Sequence, residues 1–305
     1  MTAPVTLRQA RPGDMLGCAR VFVQSSTDLG RRQGSVLPPA DPLAMAAALG
    51  HLQRTDPRGF HVAVRSRRVV AFASTILRGN THFLSMFWAL PQLQSQGVGR
   101  RLLARAFEHP RPPASAVRCV FASLDTRAQA LYLKFGMLPR GMFYMVRGTP
   151  RLSPRPRRTV ELVQVAEVGK TSPEMLATAA RFDRRFRASR RDADIRYVMS
   201  LPGARFFRVR AGSATVGYAV VTDKGRVGPA GVTDSRYGAG LAWAITEAVR
   251  TNGAETMTVI VPGVNGQALE VFFAAGLRTE FFGAWMSAKP LGELDTYLLA
   301  GGMLL

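Results

Sequence analysis

Trp88-Ala-Leu-Pro-Gln-Leu-Gln94-Ser-Gln-Gly97-Val-Gly99-Arg-Arg-Leu-Leu103 is a stretch in which an apolar run breaks into glycines and then resumes at helical spacing. Before it, Phe83-Leu-Ser-Met-Phe-Trp-Ala-Leu90 is aromatic and apolar enough for a buried strand. Behind it, Leu102, Leu103 and Phe107 share one face of a helix. A strand therefore delivers a glycine turn to a helix N-terminus. Glycine lets the chain turn tightly and lets an anion approach the backbone, and the first amides of a helix lack internal partners. Arg100 and Arg101 add positive charge at the same place, which reads as a phosphate cradle.

The rest of the composition limits what such a cradle serves. At 305 residues and 33.2 kDa the length leans toward two domains. With 47% apolar residues there is ample material for a core. No uninterrupted apolar run of about 18 residues is present, and the first residues do not read as a secretion signal, so a soluble, cytoplasmic protein is expected, with no membrane partner. Cys18 and Cys119 have no metal-type spacing and read as buried thiols; no metal site is expected. His51, His61, His82 and His109 are isolated and read as ordinary surface or core residues.

A formal charge of +21 makes nucleic acid an obvious partner to consider. The pattern argues against a specific one. Only Lys134, Lys170, Lys224 and Lys289 are lysines, and the arginines are scattered without an aromatic-interleaved patch. Through Pro150 there are 20 basic and 6 acidic residues, and afterwards 21 and 14, so the excess sits in the half with the glycine turn. An anionic cofactor or substrate suits that half.

Taken in order, Val5 onward reads as a strand, with Asp14 placed to cap a helix over Met15 to Ser25 and a loop over Gly30 to Pro42. Pro42 to Gln53 fits a second helix, Gly59–Val64 and Val69–Leu77 a hairpin, and Val117–Ala122 a strand. A helix from Asp125 stops at Gly136, and Phe143–Val146 is the last strand before the proline- and arginine-rich segment Arg147–Arg158. The second part repeats the order: strand Val160–Val165, helices Pro173 to Phe186 and Asp194 to Met199, then a hairpin over Ala204–Val209 and Ala214–Val221. Val227–Thr233, a glycine turn at Ser235-Arg-Tyr-Gly238-Ala-Gly240, helix Leu241 to Arg250, strand Thr256–Val261 and a stretch from Asn265 to Gly276 follow. The glycine turns are offset by 141 residues, and Tyr132 and Phe272 by 140. This is a tandem duplication of one α/β domain, expected at 1–148 and 159–305 with a linker at 149–158.

The order and the motif resemble the GNAT superfamily of acyl-CoA-dependent N-acetyltransferases. That family uses Gln or Arg, two residues, Gly, one residue, then Gly or Ala; Gln94-Ser-Gln-Gly97-Val-Gly99 matches each defined position, and Ala89-Leu-Pro91 fits the end of the preceding strand. Ala128, Leu131, Tyr132 and Gly136 match the family's later helix, with Asp125 where Asn is usual. The resemblance implies two tandem domains, each with a mixed, mostly antiparallel central sheet flanked by helices. The second half looks more divergent, with Asp183-Arg184 and Arg190-Arg191-Asp192 near its first helices. Ser235 replaces the family's Gln or Arg and Phe272 its tyrosine, although Asn265, Ala268 and Gly276 fit. Chemistry is therefore expected in the first half, and the second reads as degenerate, regulatory or specialised for binding.

What the resemblance implies can be assigned by residue. The backbone of Ser95, Gln96, Gly97, Val98, Gly99 and Arg100 would hold the pyrophosphate of acetyl-CoA, with Gln94 trimming the loop and Arg100 or Arg101 countering charge. Backbone at Ala89 and Leu90 would meet the pantetheine arm and polarise the acetyl carbonyl. Asp125 and Ala128 would line the cofactor from the later helix, although Asp125 serves equally as a helix cap. Tyr132 is the general acid for the leaving thiolate, or else a packed aromatic on that helix. A dinucleotide turn is disfavoured by Leu102 in place of a third glycine. The strand Phe83 to Leu90 carries no carboxylate, so deprotonation through water and an amine arriving neutral both stay open for the base. The acceptor is expected to be a primary amine of a small molecule, amino-acid-like rather than polycationic, and the chain a monomer or homodimer. A non-catalytic acetyl-CoA sensor or scaffold is the rival class.

Overall fold

The structure is a computed structural model of the chain, and it describes residues 3–34, 40–94 and 96–305. The elements pack as two compact units, the first comprising the chain up to Val120 with Asp125–Gly136, the second Phe121–Leu124 with Met137–Leu305.

The first unit runs β1 (Thr6–Gln9), α1 (Met15–Arg32), α2 (Pro42–Thr55), β2 (Phe60–Arg65), β3 (Arg68–Arg78), β4 (Thr81–Ala89), α3 (Val98–Glu108), β5 (Val117–Ala122, its last two residues packing with the second unit) and α4 (Thr126–Lys134). The strands stand in chain order and are antiparallel except for β4 and β5, which are parallel. The β2–β3 hairpin turns through Ser66 and Arg67, both left-handed at φ 48° and 62°. This is the backbone twist that two-residue hairpins require. One face of the sheet packs Ala63, Ala71 and Ala73 against Val98, Leu102 and Ala106 of α3. Small residues on the strands let the helix lie close, and each large apolar side chain buried there contributes about 1.5–3 kcal/mol. The opposite face meets α1, where the ring of Phe22 stands edge-on to that of Trp88, centroids 5.0 Å apart.

Helix α1 does not stop at Ser25 but continues through Gly30 to Arg32, where Asp28 and Arg32 form an i,i+4 ion pair at 3.0 Å. Nor does Asp14 cap it. Its carboxylate accepts from both Arg8 guanidinium nitrogens at 2.6 and 2.8 Å and from the Arg11 amide at 2.7 Å. Arginine competes successfully for an oxygen that a helix amide would otherwise take. Of the loop expected over Gly30 to Pro42, Gly30 to Arg32 are helical instead and residues 35–39 lie outside the described residues.

The second unit contains β6 (Leu138–Gly148), β7 (Glu161–Glu167), α5 (Pro173–Arg187), α6 (Asp192–Met199), β8 (Arg205–Ala211), β9 (Ala214–Val221), β10 (Val227–Val232), α7 (Gly238–Thr251), β11 (Met257–Pro262), α8 (Gly266–Ala274), β12 (Arg278–Ser287) and the short β13 (Tyr297–Leu298). Ser172 caps α5 with Pro173 at its first position. Strands β7 to β10 repeat the antiparallel meander of β1 to β4, and β13 lies on the outer edge of β10. Strand β6, from the first repeat by sequence, pairs antiparallel with β12 on one side and β11 on the other. The 149–160 segment carries no helix or strand; Arg151 donates its amide to Ala275, and Trp243 donates its indole N–H to the Ser153 carbonyl. The chain thus forms two α/β units in tandem.

Candidate active site

Strand β4 is held on both sides only over its first half. Thr81 to Leu84 pair with Val117 to Val120, and there the parallel ladder ends. At this point the β3–β4 register shifts, leaving Ser85 as an extra residue on β4. A bulge bends its strand and raises its twist, so β4 leaves the ladder and its edge opens as a cleft. From Met86 to Ala89 the side of β4 that faced β5 has no strand partner among the described residues. Leu90 donates its amide to the Val70 carbonyl at 3.0 Å, which commits that group to β3. By the alternation of an antiparallel ladder, Ala89 then points its own N–H and C=O away from β3 and into the opening. Its carbonyl accepts from Ser25 Oγ at 3.0 Å and Gln94 Nε2 at 3.1 Å. That leaves the Ala89 amide, like that of Phe87, as a main-chain donor facing the cleft, with Leu90 directed the other way.

The glycine turn follows. After a single 3-10 turn at Pro91–Leu93, Gln94 is extended, and Gly97 adopts φ 74° immediately before α3. A Cβ built on Gly97 would meet nothing within 4 Å, so the left-handed backbone, and not crowding, demands glycine there. A Cβ on Gly99 would lie 3.0 Å from the Phe87 ring, so this second glycine lets α3 settle on β4. Gln94 holds the turn against Ala89, and Gln96 donates to the Gln92 carbonyl at 2.7 Å. Val98 is buried, whereas Gln96, Gly97, Arg100 and Arg101 are exposed. Ser95 lies outside the described residues. The amides opening α3, with two exposed arginines beside them, make a region of positive potential suited to a pyrophosphate.

Helix α4 supplies the remaining residues. Tyr132 is buried and its ring lies 6.2 Å from that of Phe87, tilted by 63°, so it abuts the strand that forms one wall of the cleft. Burial pushes its phenol up, and the Asp125 charge adds to the effect, so Tyr132 keeps its proton throughout the neutral range. Asp125 is the N-cap of α4, accepting from the Arg127 amide at 3.0 Å and from its guanidinium at 2.8 and 3.1 Å, with Arg32 3.8 Å away. Burial opposes its ionisation, but these bonds hold its carboxyl below the usual range. Ala128 is half-buried one turn further along. The turn, the Ala89 backbone and Tyr132 therefore converge on Phe87 and the end of β4, while Asp125 is spent on its cap and arginines.

The second copy is built differently at the corresponding place. Ser235–Tyr237 form a 3-10 turn that runs straight into α7, and Gly238 is right-handed at φ −58°. No left-handed residue lifts the chain there. Gly240 lies against the connecting segment instead, since a Cβ on it would be 2.5 Å from the Arg158 carbonyl oxygen. Both glycines survive in the sequence, yet neither shapes a phosphate loop.

Residues 29–137 match the model of the Acetyltransferase (GNAT) family. The match lies within the first half and covers about a third of the chain's length. No curated protein matches the sequence. Among solved structures, a proposed acetyltransferase from Pyrococcus horikoshii is similar at 16% identity, over 98% of this chain and 95% of that one, with a TM-score of 0.75. A GCN5-related N-acetyltransferase from Sphaerobacter thermophilus aligns over 97% and 100% at 16% identity and TM-score 0.63. A tandem GNAT protein from the clavulanic acid biosynthesis pathway aligns over 94% and 99% at 16% identity and TM-score 0.56. These likenesses establish the fold along the full chain, and the family match falls on the half that holds the Gly97 turn. Sequence reasoning missed Ser25, a buried residue of α1 that fixes the Ala89 carbonyl. Its only signal was a serine on the apolar face of a helix.

Proposed function

We propose that the protein is an N-acetyltransferase that moves the acetyl group of acetyl-CoA to a primary amine of a small molecule, with the chemistry in the first GNAT copy. The observation that carries this reading is the half-unpaired β4, whose free edge at Ala89 opens beside the left-handed Gly97 turn. The residues fit acetyl-CoA: Gly97 leaves open space over its Cα, Arg100 and Arg101 are exposed, and the cleft edge turns the Ala89 amide away from β3. Acetyl-CoA supplies an activated thioester. The chain's amides from Ser95 to Arg100 would hold its pyrophosphate, and Ala89 would orient the arm through its N–H. Leu90 would act through its β3 bond, which keeps Ala89 turned outward. Gln94 and Ser25 would lock the same peptide, Val98 would seat the helix that presents the amides, Gln96 would brace the loop, and Ala128 would border the cleft. Asp125 would order α4 beneath Tyr132.

Tyr132 would hold the proton destined for the departing sulfur at its Oη. A positioned acid contributes about 10²–10⁴-fold. We therefore expect Tyr132→Phe to lower kcat by about 10²-fold, with little change in affinity for acetyl-CoA. Free-thiol release with an amine panel checks it. If neither protein releases coenzyme A while both bind acetyl-CoA, the chain is a sensor or scaffold.

The first half has only six carboxylates, so a polycationic acceptor would find few partners. Amino-acid-like amines are the expected acceptors. Turnover of polyamines or aminoglycosides with none of amino-acid-like amines would reverse this. We retain 1–148 and 159–305, joined by 149–158, as the two copies of the duplicated sequence, working in the cytoplasm as monomer or homodimer. No helix among the described residues is long and apolar enough to cross a membrane.

A further inference from the structure

We propose that residues 293–305 act as an internal strap that takes, in the second copy, the place acyl-pantetheine would take in the first, so that the chain has one acyl-CoA site. The proposal rests on the reading that the cleft at the β4 edge is the acyl-CoA site.

Four contacts place the strap, all within the second unit. Ala230 stands 141 residues after Ala89 and is its counterpart on β10. In the first copy that edge of the strand has no strand partner among the described residues; here Ala230 and Gly231 pair with Leu298 and Tyr297 of β13. On the opposite side, Leu299 donates its amide to the Ile260 carbonyl of β11 at 3.0 Å. The segment therefore bridges β10 and β11, counterparts of the strands that part in the first copy. At Gly228 the fit is tight, since a Cβ there would lie 1.9 Å from the Leu299 carbonyl oxygen. Asn265, counterpart of Asp125 at the cap of its helix, donates its side-chain amide to the Tyr297 carbonyl at 3.3 Å.

The strap is fastened by chemistry that a loose tail would lack. Tyr297 is fully buried, and its hydroxyl accepts from Arg191 Nη2 at 2.5 Å. Arg191 is itself buried, forked onto Asp183 at 2.9 and 3.0 Å, and donates to the main-chain oxygen of Leu305. Tyr218 completes the cluster by donating to Asp183 at 2.6 Å. Glu293 pairs with Arg185 at 2.5 Å, and Arg226 donates to the Ala300 carbonyl at 3.1 Å. Leu298, Leu299, Ala300, Leu304 and Leu305 are all buried. The right-handed Gly238 and the helical turn before it agree, because a slot filled by protein has no pyrophosphate to cradle.

The test is equilibrium dialysis of acetyl-CoA against the full chain and against two first-copy variants, Gly97→Asp and Arg100→Glu/Arg101→Glu. One molecule per chain is expected for the wild type and none for Gly97→Asp; the charge-reversed double variant should bind at least tenfold more weakly. Two molecules per wild-type chain, or one remaining on Gly97→Asp, would overturn the strap. Hydrogen exchange provides the independent readout. The Leu299 amide should exchange as slowly as those of β9, with and without saturating acetyl-CoA. Rapid exchange, or deprotection by acetyl-CoA, would also overturn it. If the wild type binds no acetyl-CoA, the functional reading fails while slow Leu299 exchange still upholds the strap.

Discussion

Gly97 sits at φ 74° with open space where a Cβ would be, while a Cβ two residues on, at Gly99, would lie 3.0 Å from Phe87. The two glycines of one motif therefore fail differently when replaced. Gly97→Ala should cost about 1 kcal/mol of stability, the cost of a left-handed alanine, and weaken acetyl-CoA binding by obstructing the amides. Gly99→Leu should push Phe87, and Tyr132 with it, so kcat should fall while the Gly97 turn still binds; isothermal titration alongside initial rates separates these outcomes. The motif's spacing was legible in the sequence because backbone conformation leaves its mark as glycine. The direction of Ala89 was not. It depends on a bulge at Ser85 and a ladder bond from Leu90 to Val70, and neither has a residue signature.

At the level of elements, periodicity located β2 to β5, α3 and α4 closely, because each buries one clear face. It lost β13, whose two residues owe their strand character to β10. It also mistook Asp14, where local spacing suggested a cap and Arg8, across the turn, claimed the carboxylate. The hairpin between β2 and β3 offers a test of turn chemistry. Ser66 and Arg67 both occupy left-handed backbone, so Ser66→Asn/Arg67→Gly should stabilise the protein by about 1 kcal/mol, read as a higher urea midpoint at unchanged slope. In the second unit, Arg191→Met alone should strand Asp183 without its partner and cost about 3–5 kcal/mol. The double variant Asp183→Leu/Arg191→Met should recover much of that loss, because both charges leave the buried cluster together.

For the molecule as a whole, the pH dependence of stability separates two sets of groups. His82 is fully buried with neither ring nitrogen partnered among the described residues, and burial, then the nearby Arg118 charge, lowers its pKa to about 4. His61 is lowered to about 4 as well, by burial, then His109 and Arg105. Both stay neutral in the folded chain, while the unfolded chain takes up protons from about pH 6.5 downward. Their contribution is thus complete above about pH 6.5 and is lost as pH falls toward about 4, by about 3 kcal/mol for His82 alone at 1.36 kcal/mol per pH unit. Asp14 and Asp125, held low by Arg8 and Arg127 against the cost of burial, act in a separate window below the ordinary carboxylate pKa. Urea midpoints measured at pH 7, 5.5 and 4.5 should therefore fall along a slope that belongs to the histidines. In His82→Met that slope should be shallower and the stability at pH 7 higher, since an apolar side chain leaves no buried nitrogen without a partner. An unchanged slope in His82→Met would mean that the imidazole is hydrated in the folded protein, and with it the start of β4 from which the cleft strand departs.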